Sequence, residues 1–337
     1  MPTGPTALQR GPVPPGQAGR IVAAKGRVTA VGRAMRSGNG WVTCEQGHQH
    51  WGLFGAAGLL AYAPDPEDQA QTLVLLQHRA RWSHQGGTWA LPGGAMDSEE
   101  TPAEAALREA DEECMLDPKL VLPRGMYSEE HGGWAYHTIL AQAADPFRVY
   151  SDAYESDENV WLPAGQVDRR DLHPGFAVAW PVLRSALLPL TVLVDGTAKP
   201  AVAAALRARL ADLTRTGVTA LPAGLAGAAL ARWYPDYVLV LDDEAAIAAA
   251  SPAGEAGQAP KTARYSWNEP LVVRTAEVRV VAAEGRARAG AALLELAHGT
   301  PGRRLVVSDS PRVRERAAAD GAAVADLNWL LGPLPQD

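Results

Sequence analysis

Apolar runs separated by polar breaks mark the first half of the chain. Residues 50–64 are apolar with many small side chains, and a second apolar run, 72–80, follows the turn sequence DPEDQA. Two such runs joined by a short polar turn predict a β-hairpin. Further strands are predicted at 120–125 and 134–143, and residues 173–188 predict a closing helix. This pattern predicts a mixed α/β unit that is built on hairpins.

The pattern changes after Pro189. Four short apolar runs predict strands at 190–196, 237–243, 278–284 and 304–310. Helix-favouring, Ala-rich segments lie between them, and this alternation is typical of a parallel, doubly wound sheet. A long loop is predicted for the Pro/Gly/Ala-rich segment between Ala245 and Thr275.

The length and the change of pattern together predict two α/β domains. Their predicted bounds are 20–188 and 190–337, after a leader at 1–19. The leader is rich in Pro and Gly and lacks the apolar core of a signal peptide, so it is predicted to be disordered. Apolar runs stay short of the ~18 residues that a membrane span requires. A cytoplasmic protein without membrane partners is therefore expected.

Charge and cysteine content exclude several classes. The net charge of −7 does not favour general binding to nucleic acid or anionic lipid. The only two cysteines, Cys44 and Cys114, are too few for a disulfide framework, which fits a reducing compartment.

One segment, 93–116, is strongly acidic. It holds eight carboxylates and a single basic residue, Arg108. Thr101 is a predicted helix N-cap, Pro102 suits the first turn, and Glu104 completes a capping box. A helix is therefore predicted from this point.

Three glutamates of this helix, Glu109, Glu112 and Glu113, follow the spacing i, i+3, i+4 and share one face. A solvated acidic face is a common explanation of such spacing. Three carboxylates on a rigid face also suit a hard divalent cation such as Mg²⁺, which completes its shell with water and substrate phosphates. An ion pair between Arg108 and Glu100 would pin the preceding loop to the helix.

At this point the segment resembles the Nudix box: Gly94, five residues, Glu100, seven residues, then READEECML from Arg108. The neighbouring sequences TWALPGG and ESDENVWLP are also similar to that family, so the resemblance covers about 51–188. It implies a Nudix α/β/α sandwich with a mixed sheet. It also implies a Mg²⁺-dependent pyrophosphohydrolase, with Mn²⁺ as an alternative ion, whose small-molecule substrate is a nucleoside diphosphate linked to another moiety. The family often forms homodimers, so the resemblance leaves a dimer open.

Residue roles follow from the resemblance. Glu109, Glu112 and Glu113 are the implied metal ligands, together with the backbone carbonyl of Gly94. Glu112 or Glu113 is also implied in orienting the attacking water.

The resemblance makes Glu100 and Arg108 a structural pair. Met115 departs from the family pattern, which has Gly there. Gly after a helix usually takes a left-handed conformation that Met disfavours by about 1 kcal/mol. Either the helix ends differently here or the box is slightly distorted, and both alternatives concern the loop after the helix more than the metal ligands upstream.

Carboxylates later in the chain are candidates for the general base. Nudix enzymes commonly recruit one from the loop that carries Glu155 and Glu158, and Glu155 is the preferred catalytic candidate. Glu129 and Glu130 are weaker alternatives. Solvated loop acids explain all four equally simply.

Arg79, at the end of a predicted strand, is a candidate phosphate ligand, although a surface arginine explains it as simply. Trp82 and Trp134 are candidates to stack on a base. For Trp89, core packing is the preferred interpretation.

A separate segment, CEQGHQH, holds Cys44, His48 and His50. These residue types bind Zn²⁺, but a fourth ligand is missing and the spacing is irregular for a zinc knuckle. A polar hairpin is therefore the preferred interpretation.

Four aspartates follow predicted strands of the second half: Asp195, Asp242, Asp243 and Asp309. The carboxyl ends of parallel strands converge on one crevice. This arrangement weakly resembles PIN/NYN nuclease-like domains, which usually have more acids, so a degenerate domain for substrate selection, dimerisation or RNA contact is expected. Use of each Asp as a turn residue is the simplest explanation.

The sequence is also compatible with two functions other than that of a Nudix hydrolase. One is a Nudix-fold sensor that binds nucleotides without turnover, and another is a nuclease that uses the C-terminal aspartates. Box resemblance does not identify the substrate. Modified nucleoside triphosphates, ADP-ribose, nucleotide sugars and dinucleoside polyphosphates all stay open.

Overall fold

A computed structural model gives the architecture. It describes residues 36–151, 155–196, 200–222, 225, 229–242, 277–283 and 285–331. These residues belong to one compact unit that begins at Arg36. The predicted leader, Asp243 and the predicted loop between Ala245 and Thr275 lie outside the described residues.

In the part that the structure describes, the first half contains nine strands and two α-helices. The strands are β1 Trp41–Thr43, β2 Gln49–Trp51, β3 Ala56–Pro64, β4 Thr72–Arg79, β5 Trp89–Ala90, β6 Gly93–Ala95, β7 Val121–Glu130, β8 Ala135–Ala143 and β9 Ser156–Pro163. The helices are α1 Pro102–Cys114 and α2 Pro174–Ser185. Short 3-10 turns lie at Pro118–Leu120 and Ala164–Arg169.

Strands β3 to β9 form most of a mixed sheet. β3 runs parallel to β8 and antiparallel to β4 and β6, while β4 also pairs with β9 and β7 pairs antiparallel with β8. β1 and β2 form a separate antiparallel hairpin. The predicted hairpin of β3 and β4 is therefore confirmed, within a sheet that also contains a parallel pair.

Helices cover both faces of this sheet. Alternate residues of β3 point to opposite sides, as strand geometry requires. Leu59 and Ala61 pack in a cluster with the Ala-rich face of α1, and Leu60 and Tyr62 pack in a cluster that contains Trp180 of α2. The result is an α/β/α sandwich.

Among its described residues, the second half adds six strands and four helices. The strands are β10 Leu190–Asp195, β11 Arg232–Trp233, β12 Asp236–Leu241, β13 Val278–Ala282, β14 Arg303–Val307 and β15 Ala323–Ala325. The helices are α3 Pro200–Thr216, α4 Arg286–Gly299, α5 Pro311–Ala319 and α6 Asn328–Leu331.

Five of these strands form an all-parallel sheet in the order β13-β12-β10-β14-β15. All six residues of β10 are buried, as expected for a strand that is covered on both faces. Val192 and Val194 pack with Leu206 of α3, whereas Leu193 packs with Leu293 of α4. The predicted parallel sheet with helices on both faces is therefore present.

Strand β11 lies beyond residue 190 in the chain but joins the first sheet. It pairs antiparallel with β7, where Arg232 aligns with Met126 and Trp233 with Gly125. The largest apolar cluster likewise contains side chains from both sheets, including Leu76 and Leu305. The predicted domain boundary at 188–190 stays a prediction, and the two sheets share apolar contacts across it.

Within the described ranges, no helix is both long and apolar enough to cross a membrane.

Candidate active site

The acidic helix α1 begins as the sequence predicts. The Thr101 backbone N–H donates to the Glu104 carboxylate at 2.8 Å, and the Glu104 N–H donates to the Thr101 hydroxyl at 3.3 Å. These reciprocal bonds form the capping box and satisfy N–H groups that a helix start leaves without partners. The rigid start fixes which way the following glutamates point.

Two of the three glutamates face the glycine loop of β6. The Gly93 N–H donates to Glu113 Oε2 at 2.9 Å. A Cβ atom built on Gly94 would lie 2.6 Å from the Glu109 carboxylate, so no residue with a side chain fits there without displacing Glu109. The backbone of Gly94 therefore lies close to the Glu109 carboxylate. A metal site that uses both the Gly94 carbonyl and this carboxylate requires such a close approach.

Arg108 lies between the loop and these glutamates. Its guanidinium donates to Glu100 Oε1 at 2.7 Å, to Glu100 Oε2 at 2.9 Å and to the Ala95 carbonyl at 3.0 Å. It also contacts Glu109 at 2.8 Å and Glu112 at 3.5 Å. Arg108 thus pins β6 to α1 and neutralises part of the charge of the acidic face.

Burial shapes the ionisation of this face. It raises the pKa of Glu109 to about 7, against the lowering effect of Arg108. It also raises the pKa of Glu113, where the Gly93 N–H opposes it and the charges of Glu109 and Glu155 add to it. The pKa of Glu112 rises for the same main reason. These carboxylates therefore lie close enough to destabilise one another's charge.

Glu155 belongs to the same electrostatic group, because its charge raises the pKa of both Glu109 and Glu113. The Ala80 N–H donates to the Glu155 carbonyl at 3.0 Å, which fixes its backbone beside the end of β4. Glu158 instead lies within β9, aligned with His78.

A cleft of about 350 Å³ adjoins the glycine loop and includes Gly93, Gly94 and Arg79 in its lining. Its other walls are largely aromatic and imidazole side chains. They are Trp41, His50, Trp51, His84, His131, Trp134, Tyr136, His173 and Phe176. The site thus places aromatic surface beside the carboxylates, which suits a planar base linked to phosphates.

Two features of this wall were missed by the sequence interpretation. Trp41 and Trp51 face each other across the β1–β2 hairpin with ring centroids 5.5 Å apart. His173 caps α2, and burial, helped by the charges of Arg79 and His84, lowers its pKa to about 4. The alternation of Trp with polar residues in the hairpin could have predicted the Trp41–Trp51 pair. No sequence signal predicted the position of His173.

The three proposed substrate contacts differ in position. Arg79 and Trp134 line the cleft, and the Arg79 Nε donates to the His84 carbonyl at 3.1 Å. Trp82 is 66% exposed and does not line this cleft in the described part of the chain. Trp89 is buried beneath Arg170, in agreement with the preferred core interpretation.

Met115 takes the left-handed conformation that Gly would take, with φ 55° and ψ 36°. Its N–H donates to the Asp111 carbonyl at 2.9 Å, and the Leu116 N–H donates to the Ala110 carbonyl at 3.3 Å. The alternative that the helix ends differently is therefore wrong: the helix terminates by left-handed capping, and Met carries the steric cost.

We expect Met115→Gly to stabilise the fold by about 0.5–1 kcal/mol. Gly removes the left-handed penalty, and its larger freedom in the unfolded chain offsets only part of that gain. The side chain is 67% exposed, so little packing is lost. Urea unfolding without divalent metal measures the change. Met115→Ala is the control, because it keeps the Cβ atom; a Gly variant no more stable than the Ala variant contradicts the prediction.

The donors of the acidic cluster fit a hard divalent ion. Glu109, Glu112, Glu113 and the Gly94 carbonyl offer oxygen only, which Mg²⁺ and Mn²⁺ prefer. The buried carboxylates of Glu109 and Glu113 have raised pKa values, and a bound cation would offset the burial and repulsion that raise them.

The C-terminal aspartates that the structure describes, Asp195, Asp242 and Asp309, make contacts at the ends of strands. Asp195 Oδ2 accepts from the Ser308 hydroxyl at 2.6 Å, and Asp309 Oδ1 accepts from the Leu327 N–H at 3.0 Å. Asp242 uses its backbone carbonyl to accept from the Gly285 N–H. These contacts tie strand ends to loops, as the turn interpretation expects.

Comparison with known proteins identifies the family. The NUDIX domain model matches residues 56–183. A protein of Mycobacterium tuberculosis named "Putative 8-oxo-dGTP diphosphatase 3" is 44% identical over 161 residues, which cover 46% of this chain and 72% of that protein. The chain belongs to the Nudix family.

Two further proteins are similar to this chain. A "Nucleoside triphosphate pyrophosphatase/Nudix hydrolase fusion protein" of Bifidobacterium longum is 41% identical over 158 residues, 46% of this chain and 33% of that protein. The crystal structure of the Nudix hydrolase RenU from M. smegmatis shares 48% identity, covering 44% of this chain and 93% of that one, with a TM-score of 0.42.

As a Nudix hydrolase, the protein acts on pyrophosphate bonds, and the Nudix α/β fold expected from the box is confirmed. Enzymes of this family generally use divalent metals such as Mg²⁺. The family match ends at residue 183 and so does not extend into the parallel sheet. The weak PIN/NYN resemblance of that region stays a prediction.

Proposed function

We propose that this Nudix hydrolase uses Mg²⁺, which Mn²⁺ can replace, to cleave a nucleoside diphosphate linked to another moiety. The observation that carries the proposal is the partly buried glutamate cluster of α1 beside an aromatic cleft of about 350 Å³. Aromatic walls favour a base, and clustered carboxylates favour a cation that binds phosphate.

Each residue of the cluster has a role in the proposal. The ion would be held by Glu109, Glu112, Glu113 and the Gly94 carbonyl. Arg108 would fix the position of Glu109 through their ion pair. The ion, when bound, supplies Lewis acidity and lowers the pKa of a water ligand. Glu112 or Glu113 would orient that water.

Glu155 is the proposed general base, because its charge acts on both Glu109 and Glu113. Arg79, which lines the cleft, is the proposed phosphate ligand. Trp134 is retained as a base-stacking candidate in the lining. Trp82 loses support because it lies outside that lining.

The relatives support a nucleoside triphosphate as the first substrate class to test. The name of the M. tuberculosis relative refers to 8-oxo-dGTP, and that of the B. longum relative to nucleoside triphosphates. Trp41 and Trp51 offer faces on which a purine could stack. We therefore propose that a purine nucleoside triphosphate, including one with an oxidised base, is hydrolysed.

A substrate screen tests this proposal. Purified protein with Mg²⁺ is given 8-oxo-dGTP, dGTP, ADP-ribose, a nucleotide sugar and a dinucleoside polyphosphate, and products are separated by chromatography. We expect nucleoside monophosphate from a triphosphate, with a chelator abolishing turnover. Trp51→Ala should raise KM more than it lowers kcat, because the ring acts on binding. Tight binding by calorimetry without turnover of any class would favour a sensor instead.

The second half is proposed to be a Rossmann-like domain, 190–337, that serves substrate selection or dimerisation. The parallel sheet with helices on both faces supports this assignment. The contacts of Asp195 and Asp309 with Ser308 and Leu327 favour a structural use of these acids over nuclease chemistry. We also propose that the protein is located in the cytoplasm.

A further inference from the structure

A second group of metal-ligating side chains borders the cleft, whose lining includes His50. One atom from each of Cys44, His48 and His50 lies within 4.8 Å of the others. None of them belongs to the α1 site, which offers oxygen atoms only. The chemistry here is one thiol and two imidazoles, which suits zinc rather than magnesium.

The β1–β2 hairpin brings these three residues together. The Cys44 N–H donates to the His48 carbonyl at 2.9 Å, and the Gly47 N–H donates to the Cys44 carbonyl at 2.9 Å. Gly47 has φ 83°, which the tight turn needs. The turn therefore places Cys44 at one end of the hairpin loop and His48 across from it, and His50 follows two residues later in β2.

The turn between β7 and β8 supplies a fourth candidate zinc ligand, which the segment CEQGHQH lacks. The ring of His131 lies 4.6 Å from that of His50 and 6.5 Å from that of His48. The Glu45 N–H donates to the Gly132 carbonyl at 3.0 Å, which ties this turn to the hairpin. The imidazole of His131 thus lies beside the group formed by Cys44, His48 and His50.

The polar atoms of these rings give an independent indication. His50 Nε2 and His131 Nδ1 are both buried and have no hydrogen-bond partner in the described structure. A buried polar atom without a partner costs free energy, and native proteins rarely leave two together. A ligand that accepts lone pairs from both rings accounts for them.

We propose that Cys44, His48, His50 and His131 bind one Zn²⁺ ion in a tetrahedral site. Zn–S and Zn–N bonds of about 2.3 and 2.0–2.1 Å place neighbouring ligand atoms about 3.3–3.6 Å apart. Reaching that geometry requires the ligand atoms of Cys44, His48 and His50, which now lie within 4.8 Å of one another, to draw closer. A site with four protein ligands leaves no open position for substrate, so its role is structural.

Zinc at this point would position the wall of the cleft. His50 stacks on Trp134 with centroids 4.1 Å apart and planes 10° apart, and Trp134 Nε1 donates to the Gly52 carbonyl at 2.9 Å. The same hairpin carries Trp41 and Trp51. Fixing the hairpin to the β7–β8 turn would therefore hold both tryptophans in place without contact between the ion and phosphate.

Metal content of the full-length protein tests the proposal. The protein is stripped with a chelator, reloaded with Zn²⁺ in excess Mg²⁺ to occupy the carboxylates, desalted and assayed by mass spectrometry. We expect one zinc per chain in the wild type and in Glu112→Gln. Zinc should be lost in Cys44→Ser and His48→Gln. His48 is exposed, so His48→Gln should stay folded, which circular dichroism checks; His298→Gln is the control for an exposed histidine elsewhere.

Cobalt and His131 sharpen the test. Co²⁺ in place of zinc should give a sulfur-to-metal charge-transfer band that Cys44→Ser removes. His131→Gln should lower zinc affinity by at least about 100-fold. Loss of a residue that only hydrogen-bonds to a metal ligand already lowers affinity by up to about that factor, and His131 is proposed as a ligand itself. Full zinc retention in His48→Gln, no zinc in the wild type, or unchanged affinity in His131→Gln would each overturn the four-residue site. None of these outcomes depends on whether the α1 site hydrolyses nucleotides.

Discussion

Glu112→Gln should lower kcat for the Mg²⁺-dependent reaction by about 10²–10³-fold, the scale on which one preorganised electrostatic partner acts. The amide keeps the size of the side chain but cannot offer the charge that a divalent ion requires. Stability should hardly change, because Glu112 is 42% exposed and its contact with Arg108, at 3.5 Å, is long. Glu113 is a poorer choice, since it is buried and accepts a hydrogen bond from Gly93.

Asp111→Asn is the matched control for this prediction. It removes one negative charge from the neighbouring position, which lies about 100° around the helix from Glu112. Steady-state rates are compared in the same Mg²⁺ concentration, with isothermal titration for ion affinity. Turnover in Glu112→Gln within a few-fold of that in Asp111→Asn would show that Glu112 is not part of the site.

Much of the acidic helix could be predicted from sequence, because its determinants are local. The capping box of Thr101 and Glu104 and the shared face of Glu109, Glu112 and Glu113 depend on helix periodicity alone. The apolar runs of β3 and β10 likewise report burial directly. Interactions within one turn of a helix, or along one strand, leave a readable pattern.

Long-range contacts leave no such pattern. His131 approaches His50 only because β7 pairs with β8 and the turn between them bends toward the hairpin. β11 is two residues long, too short for an apolar signature, and its pairing with β7 crosses the predicted domain boundary. Met115 shows the converse limit: a residue preference can be overruled when two helix-terminal hydrogen bonds fix the backbone.

Removal of the Arg108 guanidinium should destabilise the fold strongly. Arg108→Met leaves the Glu100 side chain, which is 7% exposed, without the partner that donates two hydrogen bonds to it. Breaking a buried pair from one side costs about 3–5 kcal/mol, and the 27% exposure of Arg108 favours the lower end. Urea unfolding at neutral pH, without divalent metal, measures the loss. Activity should fall with it, since Arg108 also holds Glu109 at 2.8 Å.

Two further variants separate charge from geometry. Arg108→Lys keeps the charge but loses the paired hydrogen bonds, so it should recover only part of the stability. Glu100→Gln combined with Arg108→Met removes the uncompensated charge, and it should be more stable than Arg108→Met alone. A double variant as unstable as the sum of the two single changes would mean that the ion pair does not couple these residues.

The pH dependence of this difference has a definite sign. Although burial opposes it, hydrogen bonds from Arg108 and from the Asp97 N–H hold the pKa of Glu100 below its usual range. A carboxyl group with a lowered folded-state pKa stabilises the fold above its unfolded pKa of about 4.3, and it loses that contribution as pH falls through the folded value. In Arg108→Met the same carboxyl is buried without its cation, so protonation relieves it. The stability gap between wild type and variant should therefore begin to narrow at a pH above about 4.3, where the buried carboxyl of the variant takes up its proton, and should narrow further as pH falls to the lowered pKa of the wild-type carboxyl. A gap that stays constant from neutral pH into this acid range would place the cost of Arg108→Met in lost packing instead of in the ion pair.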